Sequence, residues 1–177
     1  TGPVIQQLRN GWQKPKDDRL GGLRVVARLE PLHDSGAIHW NLTLENQAAP
    51  WTIWRVVFPQ VAVADLGPQA KVFYPRGSGQ VEEGAWRRPV RFRDKYPGGW
   101  TGMQWLAAYN EQEKTGLYLA THDPLGSPKE LFVESDPDDH RVLMGHDHPT
   151  PDMGKPGNRF ELSGDAVWHI LRGDWFD

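Results

Sequence analysis

The chain has 177 residues, with 20 basic and 23 acidic side chains, a net charge of −3 and no cysteine. That length can bury a core without a disulfide or structural metal to staple it. The absent thiols exclude disulfides, cysteine-ligated zinc and thiol catalysis, and the well-mixed charges leave no basic stripe of the kind that binds nucleic acid.

No apolar run approaches the roughly 20 residues needed to span a bilayer. A start at Thr1 is what a mature secreted, periplasmic or cell-surface protein, or a trimmed chain, is expected to show. Nine Trp and 15 Pro are the unusual counts. A Trp ring wants a flat contact and its N–H wants a partner, and nine exceed what one core of this size needs. Part of the set is therefore expected on a binding surface.

In chain order, Thr1–Gly22 reads as an irregular lead-in. Leu23–Glu30 and Ala37–Glu45 alternate apolar and polar residues and form a plausible antiparallel hairpin across the turn Pro31–Gly36. In the second run Ile38, Trp40, Leu42 and Leu44 point in, and His39, Asn41, Thr43 and Glu45 point out. Ile53–Ala64 is a long β-branched run broken by Pro59, which predicts an edge, a bulge or a change of sheet there. Lys71–Tyr74 is a short strand. Pro75–Gly102, with six glycines, reads as one long irregular loop, the kind that is usually functional.

Met103–Tyr109 and Gly116–Thr121 form the clearest hairpin, and His122-Asp123-Pro124 ends it with ionisable groups at a corner. Glu130–Glu134 and Arg141–Met144 are short strands flanking the acidic turn Ser135–Asp139. Gly145–Gly157 reads as a Pro/Gly/His loop. Arg159–Ser163 and Ala166–Arg172 make the last pair. About ten strands with regular turn signals and no amphipathic helix predict an all-β antiparallel sandwich or barrel. The closing Gly173-Asp174-Trp175-Phe176-Asp177 reads as a break inside a larger protein.

Tyr96-Pro97, Met103-Gln104-Trp105-Leu106-Ala107, then Gly116-Leu117-Tyr118-Leu119-Ala120-Thr121-His122-Asp123-Pro124 and Lys129 carry a resemblance. Together they are similar to the galactose-mutarotase-like supersandwich, the N-terminal β-domain of some bacterial (β/α)8-barrel glycoside hydrolases. The similarity covers Val57 to Asp177. It implies a single β-sandwich domain over residues 1–177, a module of a larger carbohydrate-active enzyme whose catalytic carboxylates lie on a barrel that this chain lacks. The missing barrel and the short N-terminal portion are its two departures from the pattern. A barrel-facing apolar surface left uncovered would favour a homodimer.

Aromatic rings stack on the C–H faces of sugars, and planar polar groups take up their hydroxyls. The candidate carbohydrate contacts are therefore Trp86 and Trp100 in the Gly-rich stretch, Trp51 after Pro50, Tyr96, Arg88, His122, Asp123 and Lys129. Trp40, Trp105 and Trp168 fall in strand patterns and are expected in the core; Trp12, Trp54 and Trp175 complete the set. His122 with a carboxylate could instead exchange protons, as in a glycoside hydrolase or a sugar epimerase. Neighbouring strand residues face opposite ways, however, so a turn-forming Asp-Pro with a capping His is the plainer reading.

His146-Asp147-His148 places two imidazoles on one side of an extended segment, the pattern of a Zn²⁺ or Cu²⁺ pair, against the plainer reading of a solvated loop. Asp136, Asp138 and Asp139 could hold a structural Ca²⁺, against a solvated turn. Glu82 and Glu83 are adjacent, which suits no glycosidase pair. Asn41-Leu42-Thr43 is a glycosylation pattern inside a strand, a poor acceptor. Three functions follow: an accessory glycan-binding or barrel-bracing module, a free-standing sugar enzyme, or an interaction module without a ligand.

Overall fold

The structure, a computed structural model, describes residues 22–32, 35–47 and 51–173. The lead-in with Trp12, and the closing segment with Trp175, lie outside the described residues. Among the described residues twelve strands run in the order β1 (Leu23–Leu32), β2 (Ala37–Asn46), β3 (Arg55–Ala64), β4 (Lys71–Tyr74), β5 (Gln80–Glu83), β6 (Arg91–Tyr96), β7 (Trp105–Asn110), β8 (Thr115–His122), β9 (Lys129–Asp136), β10 (Arg141–Pro149), β11 (Arg159–Glu161) and β12 (Asp165–Leu171). The two strands beyond the expected ten are β5 and β6. Both fall within Pro75–Gly102, so that stretch is not one long loop.

The strands form two antiparallel sheets. The larger has the order β1-β2-β12-β8-β7-β4-β5, with β11 sharing the edge of β2 beside β12; the smaller is β3-β10-β9-β6. The all-β sandwich expected from the alternation is the fold observed. Its main core lies between the sheets, where Val72, Leu106, Ala108 and Leu119 of the large sheet meet Phe92, Leu131, Val133, Val142 and Met144 of the small one. A second cluster joins Leu42 and Ala166 to Val56 and Phe160, and Trp40 and Trp168 border these clusters with their rings 5.1 Å apart.

Period 2 gives each strand one face toward this core and one away from it. In β8, Leu117 and Leu119 face in, so Tyr118, Ala120 and His122 face out. In β7, Leu106 and Ala108 face in, which turns Trp105 out. Trp105, expected in the core, is half-buried on the outer face, where it packs on a further cluster of Phe73, Ala107, Tyr109 and Leu171 and stacks on Phe73 at 4.0 Å and 7°. Both faces of β7 are apolar, so alternation alone assigned no direction.

Pro59 sits on the edge strand β3, beside a register shift in its pairing with β10. Between the pairs Val57↔Asp147 and Gln60↔Gly145, Phe58 and Pro59 oppose His146 alone. This is the two-against-one count of a β-bulge.

The β11–β12 turn is tight at Gly164. Its φ is +70°, and a Cβ there would lie 2.0 Å from the carbonyl oxygen of His122. Gly164→Ala is expected to lower the unfolding free energy by about 2 kcal/mol. Urea titration checks this; an unchanged midpoint would contradict so close an approach.

Candidate functional site

The outward-facing residues of β7 and β8 build a groove on the large sheet. Trp105 stacks on Phe73, and Tyr118 tilts against Trp105 at 5.7 Å and 30°. The groove, of about 430 Å³, is lined by these two rings, Tyr96, Gln104, His122 and the 120–124 corner. It is open and shallow, with an aromatic floor and polar groups at one end.

At that end the strand pairing gathers ionisable side chains from three strands. Asp165 of β12 lies opposite His122 of β8, and Val167 of β12 lies opposite His39 of β2. His39 Nδ1 comes 3.3 Å from Asp165 Oδ2, and the rings of His39 and His122 meet edge-on with centroids 6.0 Å apart. Partial burial, and then the neighbouring His39, push the His122 pKa below the ordinary value, against an opposing pull from Asp165. His122 is thus a neutral imidazole at neutral pH, able to accept or donate one hydrogen bond. The sequence reading missed His39 and Asp165. They lie 126 residues apart, and only the registers of β2, β12 and β8 bring them together.

Asp123 points the other way. Its carboxylate accepts from Lys129 Nζ at 2.9 Å, Ser163 Oγ at 2.7 Å, the Leu125 N–H at 3.0 Å and the Ser127 N–H at 2.7 Å. Lys129 also donates to Gln104 Oε1, and its ammonium lies 4.9 Å from the centre of the Tyr96 ring. The side chains of Lys129 and Asp123 are only 1% and 0% exposed. Burial raises the Asp123 pKa, but Ser163, Lys129 and Ser127 outweigh it and hold the carboxyl well below the usual range. Burial lowers the Lys129 pKa, partly offset by Asp123. The pair ties the β8 corner to β9 and to the turn before β12. As an ion pair closed off from solvent it is unavailable for sugar hydroxyls, which corrects the expectation for Asp123 and Lys129.

Trp86 also departs from expectation. It is fully buried, and its indole N–H donates to the Val63 carbonyl at 3.0 Å. It is a core residue, closed to a ligand. Arg88 is exposed and pairs with Glu82, whose other oxygen accepts from the Tyr74 hydroxyl. The Arg88 hydrogen bond, helped by Tyr74, overcomes partial burial and lowers the Glu82 pKa.

Trp100 is 71% exposed. It borders a second open cavity of about 600 Å³ with Arg76, Ser78 and Gln80, and the Trp100 carbonyl accepts from the Gly77 N–H at 2.6 Å. The buried Phe73 ring packs against both Gly79 of this cavity and Trp105 of the groove. Trp51 is exposed on the segment leading into β3, where its carbonyl accepts from the Gly157 N–H at 3.2 Å, and it lines neither of these two cavities.

His146 and His148 lie within β10, not in a solvated loop. Both side chains face the core, with ring centroids 6.3 Å apart, while Asp147 faces out to Arg55 and Arg93. His148 Nε2 donates to the Phe58 carbonyl at 2.7 Å, at the bulge. Among the described residues no three His, Asp or Glu side chains converge on a common point that could hold a metal ion. Asn41 lies in β2 as expected and donates to the Gly164 carbonyl at 3.4 Å.

The sequence matches no protein-family model and no curated protein.

Proposed function

We propose that this chain is an accessory carbohydrate-binding module of a glycoside hydrolase, which takes poly- or oligosaccharide along the outer face of its large sheet. The observation that carries this reading is the groove floored by Trp105 and Tyr118, with Trp100 beyond it and His122 and Gln104 at its polar end. Rings set side by side in an open cleft suit the flat faces of successive sugar units, and the polar end suits hydroxyls. The resemblance to glycoside hydrolase β-domains points the same way. Its setting would be extracellular or periplasmic, where polysaccharide is met, with a catalytic barrel elsewhere in the parent enzyme.

Affinity electrophoresis against a panel of soluble polysaccharides tests this. The wild-type chain is expected to be retarded by at least one of them. Trp100→Ala and Tyr118→Ala should each weaken binding about tenfold, the usual cost of truncating a central aromatic contact. A folded chain retarded by none of them would overturn the reading and leave the bracing role.

A second reading rests on His39, Asp165 and His122. A neutral imidazole beside a His–Asp pair can move a proton on a sugar hydroxyl, the chemistry of an epimerase. Hydrolysis fits less well, because it calls for two carboxyls flanking the bond and the groove's own Asp123 is bound to Lys129. Polarimetry on free sugars separates the readings: acceleration lost in His122→Ala supports proton transfer.

A further inference from the structure

Among the described residues the first strand is an open edge. β1 ends the large sheet, and among the described residues only β2 pairs with it. Its register with β2 sets Val25 opposite Leu44, Ala27 opposite Leu42 and Leu29 opposite Trp40. These three partners face the core, so Val25, Ala27 and Leu29 share the core-facing side of the sheet. They are nevertheless solvent-exposed, Val25 at 54% and Leu29 at 51%. The small sheet therefore stops short of β1 and leaves an apolar strip beside the outer edge of this ten-residue strand, to which no other described strand pairs. Edges in soluble proteins are ordinarily guarded by Lys, Pro or a bulge. Here Arg24, Arg28, Glu30 and Pro31 lie on the strand, so a partner strand must meet these charges with opposite ones.

We propose that this edge pairs with β1 of a second copy of the chain, antiparallel about a two-fold axis, so that the two large sheets join into one. The sequence of β1 is complementary to itself in one register. With Ala27 facing Ala27 of the second copy, Val25 lies opposite Leu29 on the core-facing side. On the outer side Arg24 lies opposite Glu30, and Val26 lies under the aliphatic stem of Arg28. The two-fold axis makes each of these contacts twice. The neighbouring registers that keep apolar residues on one side are worse. A shift one way sets Arg24 against Arg28, and a shift the other way sets Arg28 against its own copy. Charge thus selects the occupant and the register together. Glu30 has no ion-pair partner among the described residues, and Arg24, which reaches Glu45 at 3.0 Å, remains 61% exposed. The proposal is independent of the glycan site.

A charge-swap experiment by sedimentation velocity tests it. The wild-type chain is expected to show a concentration-dependent monomer–dimer equilibrium. Glu30→Arg and Arg24→Glu each oppose like charges twice, and each should weaken the dimer at least about tenfold. Mixing the two variants restores both opposite-charge contacts and should recover the dimer as a heterodimer. A wild-type chain that stays monomeric into the high micromolar range overturns the proposal. So does a dimer unaffected by either swap, or two weakened variants that do not rescue each other.

Discussion

Lys129→Met is expected to lower the unfolding free energy by about 3–5 kcal/mol, because it strands the Asp123 carboxylate in a site with no access to water. Asp123→Ala should cost as much or more, since it leaves the Lys129 ammonium buried with Gln104 as its remaining hydrogen-bond partner. The double substitution Asp123→Leu with Lys129→Met should recover much of either loss, as replacing a buried ion pair by apolar side chains often does. Urea unfolding of the three variants at neutral pH measures all of this, and the difference between the double and the sum of the singles gives the coupling. A single variant within about 0.5 kcal/mol of wild type would contradict a closed ion pair. The sign with pH also follows. Asp123 has a depressed folded-state pKa, so its contribution is present above the ordinary carboxylate value and is lost as the pH falls below it.

Acid should destabilise the fold before that point, through β10. In the unfolded chain both imidazoles take up protons near pH 6.5. In the folded chain burial holds His148 down to about 4, the Phe58 hydrogen bond partly opposing, and burial with His148 holds His146 well below its ordinary value. The unfolded state therefore binds more protons between pH 6.5 and about 4, so stability is full above pH 6.5 and declines as the pH falls through that window. His148 alone accounts for about 3 kcal/mol of the decline. Denaturant unfolding from pH 7 down to pH 4 should show it; a flat profile would mean that the rings are not buried neutral. His146→Leu should flatten the slope. Its neutral-pH stability should stay within about 1 kcal/mol of wild type, because neither ring nitrogen of His146 is hydrogen-bonded within the described residues.

The strands that could be read from sequence are those with one polar face. In Ala37–Glu45 the polar set His39, Asn41, Thr43 and Glu45 marks the outer side, and the core does lie under Leu42. β5 and β6 escaped because short, charged segments between glycines carry no apolar period; in β6, Arg91, Arg93 and Lys95 are exposed and Phe92 is the deeply buried residue. In sequence β10 reads as ending at Met144, because Gly145, Pro149 and Pro151 are turn and loop formers. Yet His-Asp-His is itself a period-2 pattern, with the imidazoles taking the apolar positions and Asp147 meeting arginines outside. At the candidate site, His122 was visible at its strand end. Its partners were not, because His39 and Asp165 become neighbours only through the order β2-β12-β8. Trp86 misled for a related reason: its place in a Gly-rich stretch describes the backbone and says nothing of what closes over the ring.

That strand order also governs how the molecule comes together. The β1–β2 hairpin forms from local contacts, and so does β7–β8, but the strand that joins them is the last of the twelve. Until β12 emerges, the large sheet exists as two unconnected pieces, and the chain closed between His39 and Asp165 spans 126 residues. Closing a loop of that length is an entropic cost met late, which places this chain among slow folders. During synthesis the early hairpin waits with both of its edges bare, Trp40 on one strand and Val25 and Leu29 on the other. A chain arrested before residue 165 is therefore the species most prone to aggregate.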